Sequence, residues 1–273
     1  MRLLIGPSAL YLLIFFVAPL LIVVIYSFLT RGAYGQIIWQ FTLQNYVRVF
    51  DSLYLAILWY SVVIATVNTL ICLLLSYPFA YYMARVENVR TRGILMILVM
   101  IPFWTNFLVR TYAWRVILGN DGPLNGLLLG LGIIQEPLPL IFNEGAVLVG
   151  LVYGYLPFMV LPLYAAIERI DFSLIEAAND LYANGRAAFL RVVLPLSMPG
   201  VVAGSLLVFI PSLGTFVTTD LLGGSKTVMI GNLIQSQFLT ARDWPFGSAI
   251  SVLLMVAVLG ATLLYFRKGG RAL

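Results

Sequence analysis

The sequence predicts an all-α polytopic membrane protein with six transmembrane helices, and three observations carry that expectation. Hydrophobic residues make up 62% of the chain and charged residues 10%, with a mean hydropathy of +1.00. A soluble domain carries roughly a quarter charged residues, and no water-facing fold could bury this much apolar surface. The apolar residues also fall in runs near the ~20 residues that a bilayer core requires. Finally, Pro19, Pro78, Pro102, Pro157, Pro162 and Pro211 punctuate those runs. Such kinks suit helices packed around a cavity, where neighbouring helices or water satisfy the freed carbonyls.

In chain order the expected spans are about 8–29, 57–83, 93–109, 144–167, 198–222 and 248–266. The first is too long for the apolar stretch of a signal peptide, and no small-x-small site follows it. The third is short. Between the third and fourth spans, Asn120-Asp121-Gly122-Pro123 is a turn signal. The apolar run 124–134 that follows cannot span a membrane and reads as an interfacial helix. Residues 168–197 form a polar, Arg-bearing segment between two long apolar runs. No linker, internal repeat or soluble domain interrupts the chain, so residues 1–273 read as one transmembrane domain.

The net charge of +5 does not indicate a nucleic-acid partner, because Lys and Arg are confined to short loops without interleaved aromatics. With both termini cytoplasmic, ten basic residues lie inside: Arg2, Arg85, Arg90, Arg92, Arg169, Arg186, Arg191, Arg267, Lys268 and Arg271. Six lie outside: Arg31, Arg48, Arg110, Arg115, Lys226 and Arg242. The excess favours this orientation and puts segment 168–197 in the cytoplasm.

Catalytic chemistry finds little footing. The chain has no histidine and a single cysteine, Cys72, inside an apolar run. Internal disulfides, His-metal sites and Ser-His or Cys-His triads are thereby excluded. Gly223-Gly224-Ser225-Lys226-Thr227 lacks the spacing of a phosphate loop and follows a span rather than a strand. No nucleotide, metal or other cofactor site is expected on this chain. A polytopic membrane enzyme would need a surface constellation that is missing, and a secondary transporter would usually carry ionisable groups within its spans.

The stretch Glu176–Gly200 is the most informative part of the chain. Ala177 and Ala178 let a helix approach another protein closely, while Asp180, Arg186 and Arg191 keep the segment out of lipid. Such a segment suits receiving force from a soluble partner. Glu176-Ala177-Ala178, followed by Val192, Leu194 and Pro195, resembles the EAA loop of ABC-importer permeases. That loop carries a glycine six residues after its Glu, but this chain has Tyr182 there, so the bend is expected to move to Gly185. Further stretches widen the resemblance: Pro102-Phe103-Trp104-Thr105-Asn106, Arg110-Thr111-Tyr112, Leu156–Tyr164, Asp220–Gly224 and Arg242–Gly247. Together they are similar to permeases of spermidine/putrescine importers. Permeases for opines, 4-aminobutyrate and aminophosphonates look similar as well.

The resemblance implies a type I importer permease in a bacterial inner membrane. Its partners would be a second homologous permease, a cytoplasmic ATPase dimer that uses the ATP, and an external binding protein. It assigns ATPase coupling to Glu176, Ala177, Ala178, Asp180, Gly185, Arg191, Leu194 and Pro195. For the solute path, a helical rise of 1.5 Å per residue puts Tyr153 and Tyr155 near the bilayer midplane. Trp104 and Asn106 fall at a middle to outer depth. Aromatic faces attract ammonium groups. Asp220, toward the outer end of the fifth span, is either a cation guide or a loop residue.

Overall fold

The computed structural model describes residues 10–269. Residues through Trp59 together with those from Ile230 form one compact unit, and Tyr60–Met229 form a second.

The first unit opens with α1 (Leu10–Ser27), an apolar helix exposed through its first turns and packed over its second half on the last helix of the chain. A short antiparallel hairpin follows, with β1 (Thr30–Arg31) paired to β2 (Ile37–Ile38). Gly35 supplies its turn at φ +82°. The unit continues with α2 (Gln44–Val49) and the first residues of α3 (Ser52–Arg85). It closes with α10 (Ile230–Leu239) and α11 (Trp244–Gly269). Its core gathers Ile230, Leu233, Phe246 and Ile250.

Asp243 organises the start of α11. It is 2% exposed, and its Oδ1 accepts the Phe246 N–H at 3.2 Å, capping the helix. Pro245 is tolerated just inside, where its missing N–H would have been an orphan anyway. The other oxygen of Asp243 accepts from Arg48 Nη1 at 2.8 Å. The Arg48 guanidinium lies 3.9 Å over the Phe246 ring. Burial works to lower the Arg48 pKa, but hydrogen bonds to Tyr54 and Asp243 outweigh it and the net shift is upward.

The second unit holds the rest of α3, then α4 (Val89–Trp104), α5 (Phe107–Ile117), α6 (Pro123–Gly130), α7 (Glu144–Ile167) and α8 (Ser173–Asp180). It ends with α9 (Gly185–Gly214) and a wide turn, Thr219–Gly223. Its core centres on Met83, Met159, Leu163, Ile167 and Val193. Helix α9 lies directly on α7 because Gly200 and Gly204 lack side chains. A Cβ on Gly200 would meet the Ala166 methyl at 2.5 Å and the Pro162 carbonyl at 2.6 Å, and one on Gly204 would meet Met159 Sδ at 2.7 Å. This is the small-residue packing that membrane helices use in place of a hydrophobic driving force. Two polar contacts fasten α3 to α9: Asn68 Nδ2 donates to Ser212 Oγ at 2.8 Å, and the Tyr77 and Ser197 hydroxyls share a 2.7 Å bond.

Among the described residues, α1, α3, α7, α9 and α11 are long and apolar enough to cross a membrane. The pair α4–α5 passes the same test jointly but is bent by 90°. Two expected spans therefore end differently. The continuous helix anticipated over 93–109 breaks at Thr105, because Asn106 caps a new helix, its Oδ1 accepting from Leu108 N–H at 2.8 Å and Val109 N–H at 3.4 Å. The fifth span, anticipated to reach residue 222, stops at Gly214, where Thr215 turns extended (φ −69°, ψ 137°). Ser8, Arg2 and Arg271 lie outside the described residues.

Replacing Asp243 by Ala removes both the cap of α11 and the counter-charge of Arg48. Losing the cap together with a half-exposed ion pair costs about 1–3 kcal/mol. We expect the Asp243→Ala protein to show a clearly lowered thermal midpoint in detergent by tryptophan fluorescence. Arg48→Lys, which keeps the charge but loses the planar stack on Phe246, should fall between that variant and the wild type.

Candidate coupling segment and solute cavity

At one end of the second unit, α8 joins α7 to α9. Helix α8 starts beside Asp171, whose Oδ1 accepts the Ser173 N–H at 3.0 Å. That bond, with a second from the Ser173 hydroxyl, holds the Asp171 carboxyl below its usual range against a small opposing effect of desolvation. A carboxylate there also complements the positive end of the helix. Phe172 and Ile175 pack against the core. Glu176, Ala177 and Asp180 are exposed and Ala178 is half-buried.

The chain bends at Tyr182, not at Gly185. The Ala183 N–H bonds the Ala178 carbonyl at 3.0 Å and the Tyr182 N–H bonds the Asn179 carbonyl at 2.9 Å. This six-to-one and five-to-two pairing is the Schellman ending of a helix. It puts its reversing residue in the left-handed region, and Tyr182 adopts it at φ +61°. The tyrosine thus takes the backbone conformation that the expected glycine would supply. Its side chain is 99% exposed, and Leu181 beside it is nearly as open.

Gly185 instead opens α9 behind Asn184, whose Oδ1 accepts the Ala187 N–H at 2.8 Å. Nothing lies within 4 Å of where a Cβ would stand on Gly185. Arg191 is exposed within a π-type turn, Phe189–Val193, in which the Leu194 N–H reaches the Phe189 carbonyl. Pro195 has no N–H to give to Arg191, which explains a widened turn at this place. Leu194 is half-buried and Pro195 exposed. Close by in the fold, Arg92 pairs with Glu168 at 3.2 Å and the Tyr164 hydroxyl donates to Glu168 at 2.6 Å, tying the start of α4 to the end of α7.

The far ends of α4 and α9 meet a cavity of ≈ 460 Å³. Aromatic rings form much of its wall: Phe103, Phe107, Tyr155 and Phe158, with Thr105, Gly154, Pro211, Gly214 and Thr215 among the other lining groups. Arg110 also lines it. Its Nη1 donates to the Pro102 carbonyl at 2.5 Å, and the guanidinium lies 5.7 Å from the ring centres of both Phe107 and Tyr153.

Of the five path residues expected from sequence, Tyr155 lines this cavity. Tyr153 does not line it: its ring touches the Arg110 guanidinium from the side, sits edge-on to Trp114 at 5.5 Å, and lines a separate apolar recess with Phe79, Val99 and Leu156. Trp104 is 81% exposed at the end of α4, and Asn106 is committed to capping α5. Asp220 is exposed in the Thr219–Gly223 turn. Sequence reasoning missed Arg110 by counting it among outer-loop basic residues. The signal was present: a basic residue four positions after the helix-capping Asn106, close behind a proline-bearing span.

Residues 76–268 match the family described as "Binding-protein-dependent transport system inner membrane component". The chain belongs to that family. It is 46% identical over 257 residues to the "Spermidine/putrescine transport system permease protein PotB" of Haemophilus influenzae, covering 94% of this chain and 90% of that protein. It is 45% identical over 263 residues to the protein of the same name from Escherichia coli strain K12, covering 96% and 95%. Among solved structures, a bacterial alginate ABC transporter in complex with an alginate-pentasaccharide-bound periplasmic protein aligns with a TM-score of 0.77 at 16% identity. That alignment covers 98% of this chain and 94% of the other, and it shows a shared fold. The protein is thus a multi-pass inner-membrane permease of the type I importer fold, a transport component and not an enzyme.

The left-handed Tyr182 predicts a measurable strain. A bulky residue in that region costs about 1 kcal/mol relative to glycine. Tyr182→Gly should therefore slow amide exchange at Tyr182 and Ala183, read by hydrogen–deuterium exchange. Gly185→Ala should leave exchange in the segment unchanged.

Proposed function

We propose that this chain is a permease subunit of an ATP-driven importer for spermidine, putrescine or a closely related polyamine. The observation that carries the reading is the near-full-length similarity to permeases bearing that name. The cavity chemistry supports it: aromatic walls can replace part of the water around an alkylammonium group while leaving the group free to depart. In this reading the chain pairs with a second homologous permease, and its external face receives a solute-loaded binding protein. Segment 168–197 docks on a cytoplasmic ATPase dimer, and both chain termini are cytoplasmic. The ATP is bound and hydrolysed by the ATPase, and this chain holds no cofactor.

Coupling follows from the order of elements. Glu176, Ala177 and Asp180 present an exposed face of α8, and Ala178 allows close approach. Gly185, Arg191, Leu194 and Pro195 continue that surface into the first turns of α9. Motion of the segment is transmitted through α9, held on α7 by Gly200 and Gly204, to the cavity at its far end. Alternating access then opens the path first to one side and next to the other.

The deciding measurement is uptake in whole cells of labelled putrescine or spermidine. Excess unlabelled spermidine should block it, whereas competition only by a sugar or an anion would refute the amine assignment. In the reconstituted importer, Glu176→Lys should reduce coupled uptake by at least about tenfold while membrane insertion stays normal. Ala177→Trp should act similarly through bulk at a close contact. Purified alone in lipid vesicles, the chain should neither hydrolyse ATP nor take up solute, and uptake driven by an ion gradient would instead mark a secondary transporter.

A further inference from the structure

The two ends of segment 168–197 close over one aromatic ring of α3. Tyr81, near the end of that helix, meets Phe172, just ahead of α8, edge-on at 6.4 Å. The same ring meets Phe189, near the start of α9, edge-on at 6.4 Å. The Arg85 guanidinium lies 5.7 Å from the Tyr81 ring centre and 6.0 Å from that of Phe172. On the other side of Tyr81, Tyr77 meets Phe189 edge-on at 5.3 Å, and its hydroxyl shares a 2.7 Å bond with Ser197. Tyr77, Tyr81 and Arg85 follow at intervals of four residues and so share one face of α3. Edge-to-face contact is a favoured arrangement for aromatic pairs, and a guanidinium over a ring adds to it.

A regular helix would not present Phe189 and Ser197 to the same tyrosine. They are eight residues apart, which at 100° per residue leaves them about 80° apart around the axis. The π-type turn Phe189–Val193 takes up one residue more than an α-turn, and it brings that separation to about 20°. The widened turn thereby lets α9 hold Tyr77 by its ring at one point and by its hydroxyl at another. Further along the same two helices, Asn68 donates to Ser212, next to Pro211 of the cavity wall. Helix α3 is thus fixed to the segment at one level and to the cavity-forming part of α9 at another.

We infer that α3 is a second carrier of the coupling stroke and that Tyr81 is its point of attachment, so that displacement of α8 moves α3 as well as α9. The inference rests on the coupling reading above. Between α8 and α9 the chain runs through the bend at Tyr182, where rotation about a few backbone bonds would absorb part of a push. The ring bridge Phe172–Tyr81–Phe189 bypasses that bend and keeps the entry and exit of the segment at a fixed spacing. Tyr81 is a positioning residue, acting through the segment rather than on the solute. Arg85 braces the entry side of the bridge, and Tyr77 braces the exit side.

The test uses the complete importer, assembled in vesicles with its second permease, ATPase and binding protein, and reads labelled putrescine taken up per ATP hydrolysed. Poor folding or assembly lowers uptake and hydrolysis together and leaves that ratio unchanged. Tyr81→Ala should lower the ratio by roughly tenfold, the scale of losing two aromatic pairs at once, while hydrolysis continues. Tyr81→Phe, which keeps the ring, should restore it. Phe172→Ala removes one of the two contacts and should lower the ratio by about threefold. In the wild-type complex, ATP binding should change amide exchange over residues 79–85 together with 172–180. That measurement keeps the inference testable if the alanine variants fail to assemble or putrescine is not the solute. A wild-type ratio in either alanine variant, or an exchange change confined to 172–180, would overturn the inference while leaving the importer reading intact. If Glu176→Lys also keeps the wild-type ratio, the coupling reading falls with it.

Discussion

Inside a bilayer a freed backbone carbonyl has no water to turn to, and the arrangement of this protein's second unit follows from where such groups are freed. Pro102, Pro211 and the two extended threonines interrupt helices that would otherwise run on. Each interruption must be satisfied by protein groups or face a cavity. The Thr105 hydroxyl and the Arg110 guanidinium serve the first, while Asn106 starts a new helix immediately afterwards. At the second, Thr215 is buried and bonded to Tyr155. The cavity exists because two spans end early at the same place.

The opposite end of the same unit is open rather than enclosed. Helix α8 buries Phe172 and Ile175 and turns Glu176, Ala177 and Asp180 outward. Its Schellman ending leaves Leu181 and Tyr182 uncovered. Between the two ends runs α9, held to α7 at Gly200 and Gly204 so closely that neither position has room for a methyl group. Packing of that density gives little independent movement of the two helices, so displacement of the segment is passed on rather than absorbed.

Much of this was legible in the chain itself. The membrane class followed from composition, and the run 144–167 corresponds to α7 residue for residue. The Glu-Ala-Ala stretch located α8 and the bend after it. The position of that bend was not legible, because the absence of glycine at 182 suggested that the reversal had to move. The hydrogen bonds of the helix end outweigh the steric cost of a left-handed tyrosine, a balance that no propensity rule displays. The path residues were read from depth and aromatic character, which select a level in the membrane and a residue type but not a direction around a helix. Tyr153 and Tyr155 are two residues apart on α7, so at 100° per residue they point to different sides. Arg110 was hidden by a rule that sorts basic residues into loops, when here the loop folds back as a helix against the bundle.

The length of α9 carries one more consequence. It begins at the segment and ends at the cavity, so the residues at its two ends are related by a fixed number of helical turns. Adding or removing a single residue within it would swing every later side chain by about 100°, turning Gly200 and Gly204 away from α7 and Thr215 away from Tyr155. The π-type turn at Phe189–Val193 already accommodates one such extra residue, ahead of the glycines, and still places Phe189 against Tyr77 and buries Val193. Tolerance to insertion should therefore be uneven along the chain: low from Val193 to Thr215, and higher at 134–137 in the connection between α6 and α7, ahead of the bonds that pin Leu138 to Asn125 and Phe142 to Leu222.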